Sequence, residues 1–173
     1  MLKSADVGFL LYLLLHPEET FAHMAALLGV SKSTAHAGVA RLEKSGLVHR
    51  LDRRGALAVA RGPALEFLQF GVPYVYRAET VPKARGVPTG LAALATLADP
   101  DAPEPTMMVW PSQLGDALGV GVKPLVPAAP DTSLRDPRLY HLLAIVDVLR
   151  TGDARERGYA RNAMRRAFEQ VTP

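Results

Sequence analysis

The sequence predicts an α+β chain with three unlike parts. Short helices at the N-terminus end in a two-stranded hairpin, a smaller mixed α/β segment follows, and a helical hairpin closes the chain. Three observations carry this expectation. Apolar residues recur at helical spacing through the first 45 residues and again after Asp136. Two strand-like runs, LVHRL and ALAVA, flank the polar tip DRRG. Eleven of the fourteen prolines lie between Pro73 and Pro137, which excludes long uninterrupted helices there.

The first helix is SADVGFLLYLLLH, residues 4 to 16, where Val7, Leu10, Leu11 and Leu14 keep helical spacing and Pro17 closes the segment. Thr20 stands where an N-cap belongs, ahead of FAHMAALLG, whose Phe21, Met24, Leu27 and Leu28 share a face. Gly29 suits a left-handed turn. Ser31 is a second N-cap, and its helix runs to about Ser45 with Ala35, Val39 and Leu42 inward and Gly46 as its end. After the hairpin, PALEFLQF, residues 63 to 70, resumes helical spacing with proline in the tolerated first turn. In the middle segment PTGLAALATLA reads as one short helix, and TMMVW and GVGVKPLV read as strands, the latter at an edge because of Pro124. ADPDAPEPT, residues 98 to 106, reads as a loop. Asp136 before Pro137 starts a helix with Leu139, Leu142, Leu143, Val146 and Leu149 on one side. Asp153 and Glu156 have capping-box spacing and open the last helix, an antiparallel partner after the short TG link. Two domains are expected, residues 1–70 and residues 73–173.

With 173 residues, 49% hydrophobic and 21% charged, the chain has the composition of a soluble globular protein of one or two domains. It contains no cysteine, which excludes disulfides, thiolate metal sites and cysteine nucleophiles. The apolar run Val7 to Leu15 falls short of the roughly 20 residues that span a bilayer. HPEET follows it in place of a cleavage site, so the run is expected to be a buried helix of a cytoplasmic protein. The five histidines form no HExxH or HxxxH pattern, and GxGxxG, GxxxxGK[ST] and GxSxG do not occur. No enzyme, cofactor or metal is expected. Residues 31 to 61 hold Lys32, Arg41, Lys44, Arg50, Arg53, Arg54 and Arg61 against Glu43 and Asp52, an excess of +5, whereas residues 71 to 133 carry −2. A polyanion would meet the N-terminal third.

Three helices, a hairpin and a closing helix, in that order, make a winged helix. Residues 7 to 61 resemble the winged helix-turn-helix of the MarR and IclR groups of bacterial transcriptional regulators. The resemblance lies in AALLGVSKSTAHAGVARLEKSGLVHR, where LGVSKST is the turn and start of the recognition helix and LEKSGLV leads into the wing. It covers about a third of the chain and implies double-stranded DNA as the partner. The residues at the start of such a helix reach base edges in the major groove, here Lys32, Ser33, Thr34, His36 and Ala37. No Arg, Asn or Gln stands in its first two turns to make a bidentate base contact. The wing offers Arg50, Arg53 and Arg54 to a minor groove, and Arg41, Lys44 and Arg61 are expected on phosphates.

One recognition helix gives little affinity, so a homodimer over paired half-sites is expected, with the amphipathic C-terminal helices as candidate dimer surfaces. The alternative is an antitoxin-like or adaptor protein that binds a protein partner through its C-terminal domain. Arg155, Arg157, Arg161, Arg165 and Arg166 form a second basic cluster, expected to be a solvated face paired with Glu156 and Glu169; the sharper reading is a surface for an acidic partner or further DNA. VPYVY and MMVWP read most simply as core.

Overall fold

The structure is a computed structural model that describes residues 1–51, 56–94 and 105–171. Helix α1 (Ser4–Leu15) lies at its centre. Val7, Phe9, Leu10, Leu11 and Tyr12 expose nothing to solvent. A one-sided stripe is therefore not what the fold uses. The helix is apolar all round because α3, β2 and α7 cover it from different sides.

Helix α2 (Phe21–Leu27) and helix α3 (Lys32–Lys44) form the helix-turn-helix. Each is capped as its sequence predicts. Thr20 Oγ1 accepts from the His23 amide at 3.2 Å, and Ser31 Oγ accepts from the Thr34 amide at 3.1 Å. Gly29 takes φ 66° in the turn and Gly46 φ 72° at the end of α3. Strands β1 (Val48–Arg50) and β2 (Leu57–Val59) pair antiparallel, with Val48 opposite Val59. The hairpin tip, including Arg53 and Arg54, lies outside the described residues.

The next helix starts two residues earlier than expected and runs further. Helix α4 (Arg61–Glu66) passes through a π-helical turn (Phe67–Gly71) into α5 (Val72–Val75). Pro73 has no N–H to donate to the preceding turn, and a widened turn is the usual accommodation when the regular bonding ladder is broken.

Beyond it the prolines conceal a strand. Strand β3 (Thr80–Thr89) pairs antiparallel with both β4 (Met108–Pro111) and β5 (Ala117–Val122). Parallel pairing of β4 with β5 closes a three-stranded barrel. The β3–β5 register shifts between Val81 and Lys83, on either side of Pro82, which has no amide to donate. Over the described part of PTGLAALATLA, residues 88–94, the expected helix is replaced: Thr89 ends β3, Gly90 turns at φ 65°, and a 3₁₀ turn (Leu91–Ala93) follows. Residues 95–104, with most of the expected loop, lie outside the described residues. β5 is bonded on both sides, so it is no edge, and Pro124 falls after its end.

Helix α6 (Ala129–Arg135) has no counterpart among the sequence expectations. Helices α7 (Pro137–Thr151) and α8 (Ala154–Gln170) form the expected hairpin, with both halves of the Asp153/Glu156 capping box made. Asp136 Oδ1 accepts from the Arg138 and Leu139 amides at 3.1 and 3.0 Å. One hydrophobic cluster runs from Val7 on α1 to Phe168 on α8.

A buried polar hub sits where α7 meets the barrel. Asp147, 2% exposed, accepts from Thr89 Oγ1 at 2.8 Å, Trp110 Nε1 at 2.6 Å and Arg150 Nη1 at 2.5 Å. Arg150 also donates through Nε to the Tyr76 carbonyl at 2.7 Å, so one ion pair joins the barrel, α7 and the end of α5. Replacing one partner of a buried pair leaves the other charge uncompensated, which costs about 3–5 kcal/mol. Arg150→Met should therefore lower stability by about that amount in urea unfolding followed through Trp110, the single tryptophan. A loss under about 1 kcal/mol would show that the hub bears little of the fold, since that is the range of an ordinary hydrogen bond.

Candidate nucleic-acid interface

Helix α3 presents two different faces. Ala35, Gly38, Val39 and Leu42 are buried, while Ser31, Lys32, Ser33, Thr34, His36, Ala37, Ala40 and Lys44 are exposed. The exposed face is narrow because its middle is alanine. Small side chains there let a groove approach the helix, and the polar groups gather at its N-terminal end.

Those groups are held in place. The Ser31 hydroxyl lies 2.9 Å from Ser33 Oγ and 2.8 Å from Thr34 Oγ1, a cluster of three hydroxyls around the helix start. A hydroxyl offers one donor and two acceptor sites, so the cluster retains capacity for an outside partner. The His36 ring stacks on Phe21 of α2, centroids 3.8 Å apart and planes 19° from parallel, which orients its edge outward. Ser31 and Ala40 share this face although neither is among the residues expected there from the sequence. Helical spacing from Ala37 marks Ala40, and the N-cap role marks Ser31.

The inward face fixes how far α3 stands from α1. A Cβ on Gly38 would fall 2.3 Å from the Phe9 ring, so only glycine permits this approach. Beside it, Arg41 grips the buried carboxylate of Asp6 with Nε at 2.8 Å and Nη2 at 2.6 Å. The hydrogen bond to Asp6 raises the Arg41 pKa above its ordinary value. Asp6 also accepts from the Lys3 amide at 2.8 Å.

The expected site residues thus divide. Lys32, Ser33, Thr34, His36, Ala37 and Lys44 lie exposed along one helix. Arg41 is turned inward to Asp6. Arg61 donates to the Val171 carbonyl at 2.8 Å and lies over Phe168, which ties it to α8. Arg50 reaches from β1 to Glu43 of α3, Nε to Oε1 2.7 Å, yet keeps 54% of its side chain exposed, so it braces the wing against the helix and remains accessible. Arg53 and Arg54 lie outside the described residues. The carboxylates nearest α3, Asp6 and Glu43, are both engaged by arginine, which leaves Lys32 and Lys44 to set the sign of the exposed surface.

α1 also anchors α2 and α7. Tyr12 Oη lies 2.7 Å from Nδ1 of His23, and His16 Nε2 lies 2.7 Å from Asp136 Oδ2. Burial, with Glu19 and Asp136 adding to it, pushes the Tyr12 hydroxyl up to about 12. Among the described residues no group of three or more His, Asp or Glu is placed to hold a metal ion.

A helix-turn-helix with a hairpin wing and a small-residue outer face defines the class as a winged helix-turn-helix domain. Residues 2–56 match the family model described as MarR family, and this part of the chain is a MarR-family winged helix-turn-helix domain, the type found in transcription regulators. No curated protein and no solved structure matches the chain. No described helix is long and apolar enough to cross a membrane.

Two outcomes follow from this packing. Gly38→Ala should destabilise the domain by about 1–3 kcal/mol through overpacking against Phe9, read in thermal or urea unfolding. An unchanged midpoint would mean that α3 can shift away from α1 freely. Because the folded Tyr12 keeps its proton between pH 10 and about 12 while the unfolded tyrosine loses it, stability is full below pH 10 and declines as pH rises through that window. Tyr12→Phe should flatten that decline in unfolding curves measured from pH 9 to 12, and an unaltered slope would assign the decline to other groups.

Proposed function

We propose that the protein is a bacterial, cytoplasmic transcriptional regulator that binds specific double-stranded DNA as a homodimer. The observation that carries this is the outer face of α3: polar at its N-terminal end, alanine-lined in its middle, basic, and held at fixed height on α1 by Gly38 and the Asp6–Arg41 pair. In this reading Lys32, Ser33, Thr34, His36 and Ala37 face base edges in a major groove, and Ser31 adds a hydroxyl at the helix start, where phosphates are favoured. Lys44 contacts phosphate, Arg50 lies along the wing, and Arg53 and Arg54 reach a minor groove from its tip. Arg41 and Arg61 serve chiefly as internal struts. Residues 1–70 carry DNA recognition, and residues 73–173 support dimerisation or a partner.

The second reading, an adaptor or antitoxin-like protein, draws on the exposed aromatic side chains Phe70 and Tyr74, which no part of DNA recognition uses. A stable protein partner with no preference among DNA sequences would favour it.

Fluorescence anisotropy with duplex from the protein's own upstream region and with scrambled duplex, at several salt concentrations, tests the regulator reading. The upstream duplex should bind more tightly. Lys32→Ala, Lys44→Ala and Arg54→Ala should each weaken binding and reduce the salt slope by about 0.9 for every phosphate no longer neutralised. Equal weak binding to both duplexes would overturn sequence-specific recognition of that region.

A further inference from the structure

We infer that the face formed by the α4–α5 helix and the arginine row of α8 binds single-stranded nucleic acid, at a site separate from the exposed face of α3. The inference goes beyond the regulator reading and does not rest on it. α8 packs on α4 and α7, whereas α3 packs on α1 and α2, so different elements build the two surfaces.

Two features meet on this face. The first is a row of cations: Arg157, Arg161 and Arg165 follow at four-residue spacing on α8, and none has an ion-pair partner among the described residues. Arg157 Nε and Arg161 Nε are buried without a hydrogen-bond acceptor among the described residues. The second is a pair of uncovered rings. Phe70 is 52% and Tyr74 69% exposed, four residues apart on the neighbouring helix.

Arg61 bonds the Val171 carbonyl and Gln69 Nε2 bonds the Arg161 carbonyl, at 2.8 Å each, so α8 runs antiparallel to the α4–α5 helix. Arg161 and Arg157 therefore flank the rings. The Arg161 guanidinium lies 4.8 Å from the Phe70 ring centroid, so a half-exposed ring is backed by a cation on one side. Cations beside aromatic platforms are the means by which proteins hold a single strand: the cations take phosphates, and the bases stack on the rings.

Spacing and shape select this occupant. Four residues of helix rise about 6 Å, whereas successive nucleotides of a stacked duplex strand rise about 3.4 Å. A row at the wider pitch matches a strand whose bases are pulled apart, and only unpaired bases offer a face to Phe70 and Tyr74. A duplex would meet the arginines but set its backbone against both rings. An acidic peptide would satisfy the charges but carries no planar group at each anionic step to cover the rings. Glu66 and Glu169, both exposed, lie toward the Arg165 end and bound the footprint there.

Fluorescence anisotropy of the full chain with labelled oligo(dT) and oligo(U) of about twelve nucleotides tests this. At least one should bind, and the tighter of the two identifies the strand as DNA or RNA. Log affinity should fall with log salt at a slope of about −2, from about −0.7 for each of three phosphates. Phe70→Ser/Tyr74→Ser, at exposed positions, should weaken binding at least about tenfold with circular dichroism unchanged. Arg157→Ala and Arg161→Ala should each lessen the slope by about 0.7. Lys32→Ala and Lys44→Ala should leave oligomer binding as it was, and polyglutamate at equal charge concentration should displace the strand poorly. No binding of either oligomer at low salt, binding that survives loss of both rings in a folded chain, or ready displacement by polyglutamate would overturn the assignment. Loss of binding in the Lys32→Ala and Lys44→Ala chains would place the strand on α3 instead. So too, a Phe70→Ser/Tyr74→Ser change that turns a dimeric chain monomeric without altering its affinity for either oligomer would give the face to a second copy. Duplex titrations remain the test of the regulator reading, and either result stands without the other.

Discussion

Burial of α1 is the constraint on which the rest of the structure depends. From Val7 to Leu15 the helix is apolar and has no solvent face, so the chain must surround it, and the elements that do so are drawn from both ends of the sequence. Hydrophobic burial is non-directional and would permit many arrangements around such a rod. Three polar contacts choose among them. Asp6 at its start holds Arg41 of α3, Tyr12 in its middle meets His23 of α2, and His16 at its end meets Asp136 of α7. Each contact joins α1 to a different helix, so the position of α3 is referred to the same axis that receives the C-terminal helices.

The Asp147–Arg150 pair performs the same task for the other half of the molecule. A three-stranded barrel this small has little interior of its own, and only Val87, Val109, Trp110 and Val122 of its strands are buried apolar residues. It is held to α7 by directional bonds that end on one carboxylate, and Arg150 carries the connection to the carbonyl of Tyr76. A buried ion pair adds little net stability over an apolar replacement, but it penalises wrong packings that leave either charge alone. Here it specifies how the barrel meets the helices.

Arginine does two kinds of work in this chain, and composition alone does not separate them. Arg41, Arg61 and Arg150 are directed inward to a carboxylate or backbone carbonyls, whereas Arg161 lies over the Phe70 ring and Arg157, Arg161 and Arg165 have no carboxylate partner among the described residues. The expectation that Glu156 and Glu169 pair with the α8 arginines does not describe those three. Glu156 instead accepts from the Asp153 amide in the capping box. Like charges four residues apart on a helix disfavour it by a few tenths of a kcal/mol per pair. That cost is tolerated on α8, whose cap and apolar face hold it in place.

Local chemistry made much of the helical structure at both ends of the chain legible. Thr20, Ser31 and Asp153 cap helices because a short side-chain oxygen can reach a free amide, and Gly29 and Gly46 end them because no Cβ obstructs a positive φ. These rules depend on neighbours three or four residues away, so the helix-turn-helix, the wing strands and the C-terminal hairpin could be read in order. β3 could not, since its two prolines and one glycine interrupt any alternating pattern and its pairing partners lie far along the chain, β4 beginning at Met108 and β5 at Ala117. The same distance hid the roles of Arg41 and Arg61: their partners Asp6 and Val171 are 35 and 110 residues away. The sequence by itself determined the helix-turn-helix and the C-terminal helical hairpin with their caps, and which third of the chain is basic, because those properties are local or additive. Tertiary structure alone decided which arginines are spent inside the fold, which aromatic rings stay in water and how closely α3 approaches α1, because each depends on what the folded chain brings beside them.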